Sequence, residues 1–298
     1  MGDPKQHTAQ PEYSHKLAKQ ATIASVLVAI TLIITKTWAY WMTGSVSLLG
    51  SLLDSILDGV TSLMNFFALR FALEPADAEH KFGHGKLESI AALTQSAFMI
   101  GTALVLVLNS FDAMFDKRQV VDSEIGIAVS VLAIVLTLAL VMFQKYVTKR
   151  SRSLIVEADS LHYQGDLLMN VAVILALIFV DFGIIWMDAA MAIGIGVFLC
   201  ISAWVVGKKA FEDLMDKHLP EVELQIQELV QSAPGGAGCH DVRCRQSGPN
   251  IFIQFHLEID RKMPFWTAHE IGDRIENDIK DIYPAADIIV HLDPVAVE

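Results

Sequence analysis

Three cysteines in 298 residues are too few for a disulfide framework. Cys200, Cys239 and Cys244 therefore point to a reducing compartment for the tail. Basic residues are scarce as well, with 22 Lys and Arg against 34 Asp and Glu and a net charge of −12. From Phe211 onward acids far outnumber bases, which argues against nucleic acid as a partner. There is no Walker A lysine motif, which weakens any ATP-driven reading, and His269-Glu270 lacks the second histidine of a zinc-protease helix. Gly194 and Gly196 resemble part of a nucleotide fingerprint, but no strand precedes them and helix packing explains them better. Residues 1–16 are polar and lack the apolar core and cleavage site of a signal peptide, so the first membrane helix is expected to be its own insertion signal.

What the chain has in abundance is apolar length. Hydrophobic residues make up 53% of it. They gather in six runs, roughly Leu17–Met42, Val46–Phe71, Ile90–Phe111, Ile125–Phe143, Val156–Val180 and Met187–Val206. Each is near the ~20 residues that cross a ~30 Å hydrocarbon core. Lys16 and Lys19 precede the first run, and Arg70, Lys81 and Lys86 follow the second. Lys145, Lys149, Arg150 and Arg152 follow the fourth, and Lys208 and Lys209 the sixth. Only Lys117 and Arg118 fall on the other side, so the positive-inside rule places both termini in the cytoplasm. Trp38, Trp41 and Trp186 are expected at the outer interface, and Lys36 is expected to snorkel from its end of the first run.

After the sixth run the pattern becomes that of a small α/β domain. Pro220 opens a helix whose apolar face is expected to hold Leu224, Ile226, Leu229 and Val230. Strands follow at Cys239–Arg245 and Asn250–Asp260, then a helix over Pro264–Ile282 and a strand over Asp287–Leu292. That order predicts a sheet with helices on one face. The expected organisation is a cytoplasmic tail (1–16), a six-helix transmembrane domain (17–210) and a cytoplasmic domain (211–298).

The second run contains Asp54 and Asp58, which at i, i+4 share a helix face about one turn (~5.4 Å) apart. A carboxylate at bilayer depth costs roughly 2.5–3.5 kcal/mol. His162 and Asp166 repeat the spacing in the fifth run. Three carboxylates and an imidazole suit a borderline divalent cation such as Zn²⁺. The plainer alternative is a set of helix-packing residues satisfied by neighbouring Ser and Thr. In the loop after the second run, Asp77, His80 and His84 form a three-ligand set with an open position, or an ordinary polar loop. In the tail, His240, His256, His269 and His291 fall on different elements, with Asp293 beside the last. Strand parity sets His256 on the polar face, although solvated histidines would look the same. Cys239 and Cys244 are an odd number of residues apart and would face opposite ways on a regular strand, so they are not paired as ligands.

The segments Leu53-Asp54-Ser55-Ile56-Leu57-Asp58, Phe82-Gly83-His84-Gly85-Lys86, Asp159-Ser160-Leu161-His162-Tyr163-Gln164-Gly165-Asp166 and Arg245-Gln246-Ser247-Gly248 together resemble the cation diffusion facilitator family, in particular its bacterial zinc and iron exporters. The resemblance runs from Leu17 to Val295. It implies a homodimeric metal/proton antiporter of the bacterial inner membrane, taking Zn²⁺ and also Cd²⁺ or Fe²⁺, with no organic cofactor and no catalytic residues. The implied transport site is Asp54, Asp58, His162 and Asp166, and a second site is Asp77, His80 and His84. A binuclear cytoplasmic site would use His240, His256, His269, His291 and Asp293, with Asp293 bridging, on a metallochaperone-like αββαβ fold. A charge interlock between Lys86 and Asp216 is implied near the hinge. Leu292 departs from the family, whose close members tend to carry Gln there, and this puts an outer hydrogen bond of the cytoplasmic site in doubt. Two other classes compete: a membrane-anchored metal sensor without transport, and an intramembrane metalloenzyme. The second lacks a spare general base.

Overall fold

Helices that are apolar on every side are stable only where their surroundings are apolar too. The computed structural model describes residues 11–44, 46–113, 124–181, 187–235, 238–248 and 250–295. Its first six helices are α1 (Pro11–Thr43), α2 (Val46–Ala72), α3 (Lys86–Ala113), α4 (Glu124–Ser151), α5 (Leu154–Asp181) and α6 (Met187–Leu214). Over the described side chains, α1, α2, α3, α4 and α6 are long and apolar enough to cross a membrane. α5 has the same length as α6 but carries Glu157, Asp159, His162 and Asp166 in its first half. Leu27, Ile34, Val60, Leu108, Val135 and Ile201 all lie exposed along these helices, which is the surface a bilayer covers. Trp38 and Trp41 are exposed near the end of α1, as interface residues should be. Trp186, Lys117 and Arg118 lie outside the described residues.

α1, α2, α4 and α5 make one group, with α1 against α2 and α4, and α4 against α5. α3 packs along α6 beside them. The interior of the bundle is partly polar. Asp159 of α5 accepts hydrogen bonds from Ser25 of α1 at 2.6 Å, Gln144 of α4 at 2.7 Å and Asn65 of α2 at 3.0 Å. Asn65 also donates to Gln95 of α3 at 3.0 Å, so five helices meet at one polar knot. In lipid, helices gain nothing from burying one apolar face on another, and such bonds are what make their contacts specific.

The elements after α6 are α7 (Pro220–Ser232), β1 (Gly238–Ser247), β2 (Asn250–Asp260), α8 (Phe265–Ile282) and β3 (Ala286–Val295). The sheet order is β1-β2-β3, with β1 antiparallel and β3 parallel to β2. A parallel neighbour needs a crossover, and α8 supplies it. Ile253, Phe255, Leu257 and Ile259 of β2 form the core with Ile226 and Val230 of α7 and Ile271, Ile275 and Ile279 of α8. The αββαβ order is the one the resemblance implies. On α7 the buried stripe is Val222, Ile226 and Val230, while Leu224 is 60% exposed. Two residues from Val222 is about 200° around a helix, which turns Leu224 outward and corrects the expected face.

A second correction concerns β1. His240 pairs with His256, but Arg243 pairs with Gln254, so one extra residue is accommodated in β1. Asp241 takes the strain with φ 51°. This bulge resets the alternation. Cys244 is buried in the core and Cys239 packs against it, so both turn to the same side rather than opposite sides. They remain free thiols.

The two parts meet at the loop before α3. A Cβ on Gly85 would lie 2.3 Å from the Ser247 carbonyl oxygen, so only glycine allows this approach. Next to it Lys86 Nζ lies 2.8 Å from Asp216 Oδ1, and Arg245 Nη1 lies 3.2 Å from the same oxygen. The Arg245 guanidinium also covers the rings of Phe82 and Phe252, at 4.9 and 4.7 Å from their centroids.

Candidate metal centres

Among the described residues three clusters of ligand-type side chains stand out, one in the membrane helices and two outside. In each, one donor atom per residue lies within 4.8 Å of the others.

The membrane cluster is Asp58 of α2 with His162 and Asp166 of α5. His162 Nε2 lies 2.9 Å from Asp58 Oδ1 and 3.8 Å from Asp166 Oδ2. Asp166 Oδ2 is buried with no hydrogen-bond partner among the described residues, an acceptor that a cation or a proton would satisfy. Gly165 lets this part of α5 lie close to α6, because a Cβ there would come within 2.9 Å of Leu199 Cδ2. Asp54 is not brought into the set: it is exposed, one turn earlier on α2. Spacing of i, i+4 gives a shared face but not a shared depth, and His162 is level with Asp58.

Lys36 does not snorkel. Its ammonium crosses to α2, donating to Ser55 Oγ at 2.6 Å and to the Ser51 carbonyl at 3.1 Å. The expectation fails because a buried partner close by outbids a longer reach to the headgroups.

The loop cluster is Asp77, His80 and His84. Gly83, with φ 79°, turns the chain so that His84 Nε2 and His80 Nδ1 come 3.2 Å apart. Both rings also lie 3.5 Å from Asp77 carboxylate oxygens. The backbone N–H of His80 donates to Asp77 at 2.6 Å and that of Glu79 at 2.9 Å. These bonds, the His80 one foremost, hold the Asp77 carboxyl below the usual carboxylate range against a smaller opposing effect of burial.

On the sheet, His240, His256 and His291 stand in register across β1, β2 and β3. Asp293 lies among them. Its Oδ2 is 2.8 Å from His256 Nδ1 and 3.2 Å from His240 Nε2, and its Oδ1 is 3.1 Å from His291 Nε2. A carboxylate using one oxygen on each side is placed to bridge two ions. The His256 hydrogen bond, and then the neighbouring imidazoles, keep the Asp293 carboxyl below its ordinary value. His269 is not part of this group: it lies exposed on α8, 3.5 Å from Asp273 and beside Phe265 and Trp266. Leu292 packs against the hydrophobic core and meets α8 near Gly272, on the side of the sheet away from His291 and Asp293.

Sequence reading missed Glu258, whose Oε1 lies 3.0 Å from His240 Nδ1, and Asp241, whose Oδ2 lies 3.9 Å from His256 Nε2. Glu258 was accessible in principle, being two residues beyond His256 on the same strand face. Asp241 was not, because only the bulge brings it there. Asp159 and its partners were also missed, since each is an isolated polar residue on a different helix.

Six long helices, an αββαβ domain and clustered carboxylate and imidazole donors in both parts define a multi-pass membrane protein with places for cations. The chain belongs to the cation efflux family, the cation diffusion facilitators: residues 22–215 match the cation efflux transmembrane domain and residues 219–295 the cation efflux protein cytoplasmic domain. It is 44% identical over 288 residues to the cation-efflux pump FieF of Yersinia enterocolitica, covering 96% of each chain. It is likewise 44% identical over 283 residues to the FieF of Salmonella choleraesuis, covering 95% of this chain and 94% of that one. Among solved structures, the Zn form of CzrB matches at 30% identity with a TM-score of 0.25, covering 26% of this chain and 92% of that one.

Proposed function

We propose that this protein is a metal/proton antiporter of the bacterial inner membrane, with both termini in the cytoplasm, that exports Zn²⁺ from the cytoplasm. The observation that carries this reading is the approach of Asp58, His162 and Asp166, from two membrane helices, within bonding reach of one ion. The relatives called cation-efflux pumps support the direction of transport. Metal ligation needs deprotonated carboxylates and a neutral imidazole, so each ion bound displaces protons and each proton gained expels the ion. The 2.9 Å hydrogen bond between His162 Nε2 and Asp58 Oδ1 supports this reading, because a proton held there would occupy the place of the metal. Asp54, one turn before Asp58 on the same face of α2, is the fourth donor of the set. A set rich in carboxylates with one imidazole also takes Cd²⁺ and Fe²⁺, so selectivity among them rests on geometry and supply.

The three in-register histidines with Asp293 form a cytoplasmic sensing site, joined in a homodimer by His269, and the Asp77, His80 and His84 loop forms an exchangeable third site. Residues 17–210 carry transport and 211–298 sense the metal. Without metal, two acidic cytoplasmic domains repel; metal draws them together.

Purified protein in proteoliposomes with a pH-reporting dye tests the reading. Zinc-driven proton flux is expected in the wild type and is expected to vanish in His162→Ala and Asp166→Ala. Flux retained in either variant removes that residue from the site. Flux that continues in both, with zinc accumulation intact, refutes the transport site. Zinc bound by the cytoplasmic domain with no accumulation in vesicles would instead make this a membrane-anchored sensor.

A further inference from the structure

Among the described residues no carboxylate hydrogen-bonds Lys36 of α1, and its position relative to the membrane cluster gives it a purpose. The anchor it uses, Ser55, is buried at 1% exposure. Ser51, Ser55 and Asp58 follow one another at i, i+4 and i+7 on one face of α2, so the anchored ammonium lies on the face that carries the metal ligand. That face carries Asp54 three residues after Ser51 and Asp58 three residues after Ser55, one turn beyond each anchor atom of Lys36. These are the α2 acids of the implied transport site, including the one that the present geometry leaves outside the cluster. A lysine whose only task was to reach water would lie along the lipid face and leave Ser51 and Ser55 alone.

We propose that Lys36 is a tethered counter-ion of the transport site, fixing its charge so that one divalent cation completes it. The inference rests on the transport-site reading above and deepens it. Three ionised carboxylates (Asp54, Asp58, Asp166) with one ammonium leave a net charge of minus two when His162 is a neutral ligand. One divalent ion brings that sum to zero. Without the ammonium the loaded site keeps a net negative charge, which holds the ion more tightly and slows its release. The empty site, richer by one negative charge, would retain an additional proton that the metal must displace. A monovalent cation cannot complete the sum with Lys36 present. In a medium of low effective dielectric a fixed charge on the ligand-bearing face of α2 changes the affinity for the ion.

The test uses the full-length protein, for binding in detergent and for transport in proteoliposomes. Lys36→Met keeps the side-chain length and removes the charge. It is expected to lower the zinc Kd at least about tenfold, equivalent to ~1.4 kcal/mol. It should also slow turnover and release about one further proton per zinc bound, read by calorimetry in buffers of different ionisation enthalpy. Lys36→Arg, which restores the charge, is expected to return both affinity and proton count towards wild type. Unchanged or weaker zinc binding with an unchanged proton count in Lys36→Met overturns the proposal, as do equal losses in the Met and Arg variants, which mark a packing role. Should Lys36→Met not fold, Ser55→Ala carries the test. Loss of the buried anchor frees the ammonium and is expected to tighten zinc severalfold, and no tightening overturns the inference. Asp58→Ala separates the two levels. If Asp58→Ala binds and transports zinc normally, the transport-site reading fails; if it does neither while Lys36→Met behaves as wild type, only the counter-ion falls.

Discussion

Replacing Asp159 by alanine removes the carboxylate on which the polar knot of the bundle depends. Its side chain is buried at 1% exposure and accepts from Ser25, Gln144 and Asn65 on three other helices. Hydrogen bonds between membrane helices average ~0.6 kcal/mol and reach ~1.7 kcal/mol, so three of them are worth about 2–5 kcal/mol. Each donor retains something after the loss. Ser25 also reaches the Ala21 carbonyl at 3.1 Å, Asn65 the Gln95 carbonyl oxygen at 3.0 Å, and Gln144 the Ser25 hydroxyl at 2.9 Å. The lower half of the range, about 2–3 kcal/mol, is therefore expected for Asp159→Ala. Unfolding of the full-length protein in mixed micelles, followed by tryptophan fluorescence against rising denaturing detergent, measures it. Asp159→Asn keeps one acceptor oxygen but turns an amide donor toward other donors, and should lose nearly as much. In a double-mutant cycle, Gln144→Ala with Asp159→Ala should cost less than the sum of the two single changes. A loss below ~1 kcal/mol in Asp159→Ala, with no coupling to Gln144, would refute the view that this knot fixes how the helices sit.

The junction between membrane and cytoplasmic parts should be sensitive to acid. Burial works against ionisation of Asp216, yet Lys86 and Arg245 together hold its carboxyl below the ordinary value. Its contribution is thus complete above the ordinary carboxylate pKa near ~3.9 and is lost as pH falls through the lower folded value. The side chain is 47% exposed, so screening keeps the contribution to about 1 kcal/mol or less. Asp216→Asn should lower Tm slightly at pH 7, by a deficit that shrinks as pH falls below the ordinary carboxylate range; a deficit that stays constant into acid would point to lost packing instead. Burial first, and then the Glu223 carboxylate, push the Cys244 thiol up to about 11. A maleimide at pH 7.5 is therefore expected to label Cys239 well before Cys244 in the folded protein, as peptide mapping by mass spectrometry would show. Faster labelling of Cys244 would mean that the bulge does not turn it inward.

The cytoplasmic domain could be read almost residue by residue, whereas the membrane domain could be read only helix by helix, and one physical difference explains both. β2 has water on one side and a core on the other, so Ile253, Phe255, Leu257 and Ile259 announce their face by alternation, and His256 announces the opposite one. On the strands that reading failed where the period itself was broken, at the Asp241 bulge, which shifted Cys244 to the side of Cys239 and brought Asp241 near His256, and on α7 it failed at Leu224. In the bundle both surroundings are apolar: Leu57 and Val60 face outward while Leu52 and Leu69 are buried, and no alternation in α2 distinguishes them. Length survives this loss of contrast, because bilayer thickness sets it, and all six spans were legible for that reason. Side-chain direction does not survive it. Polar residues are then the only markers of an inner face, and each is legible only with its partner. Asp58 could be paired with His162 because both spacings repeat, but Lys36 was expected to reach the headgroups and instead bonds Ser55. What decides between them is the neighbouring helix, which the sequence of α1 does not contain. The residues that tune such a site are for this reason harder to find than those that bind the ion, since they carry no spacing of their own and acquire their role only from the contacts that packing gives them.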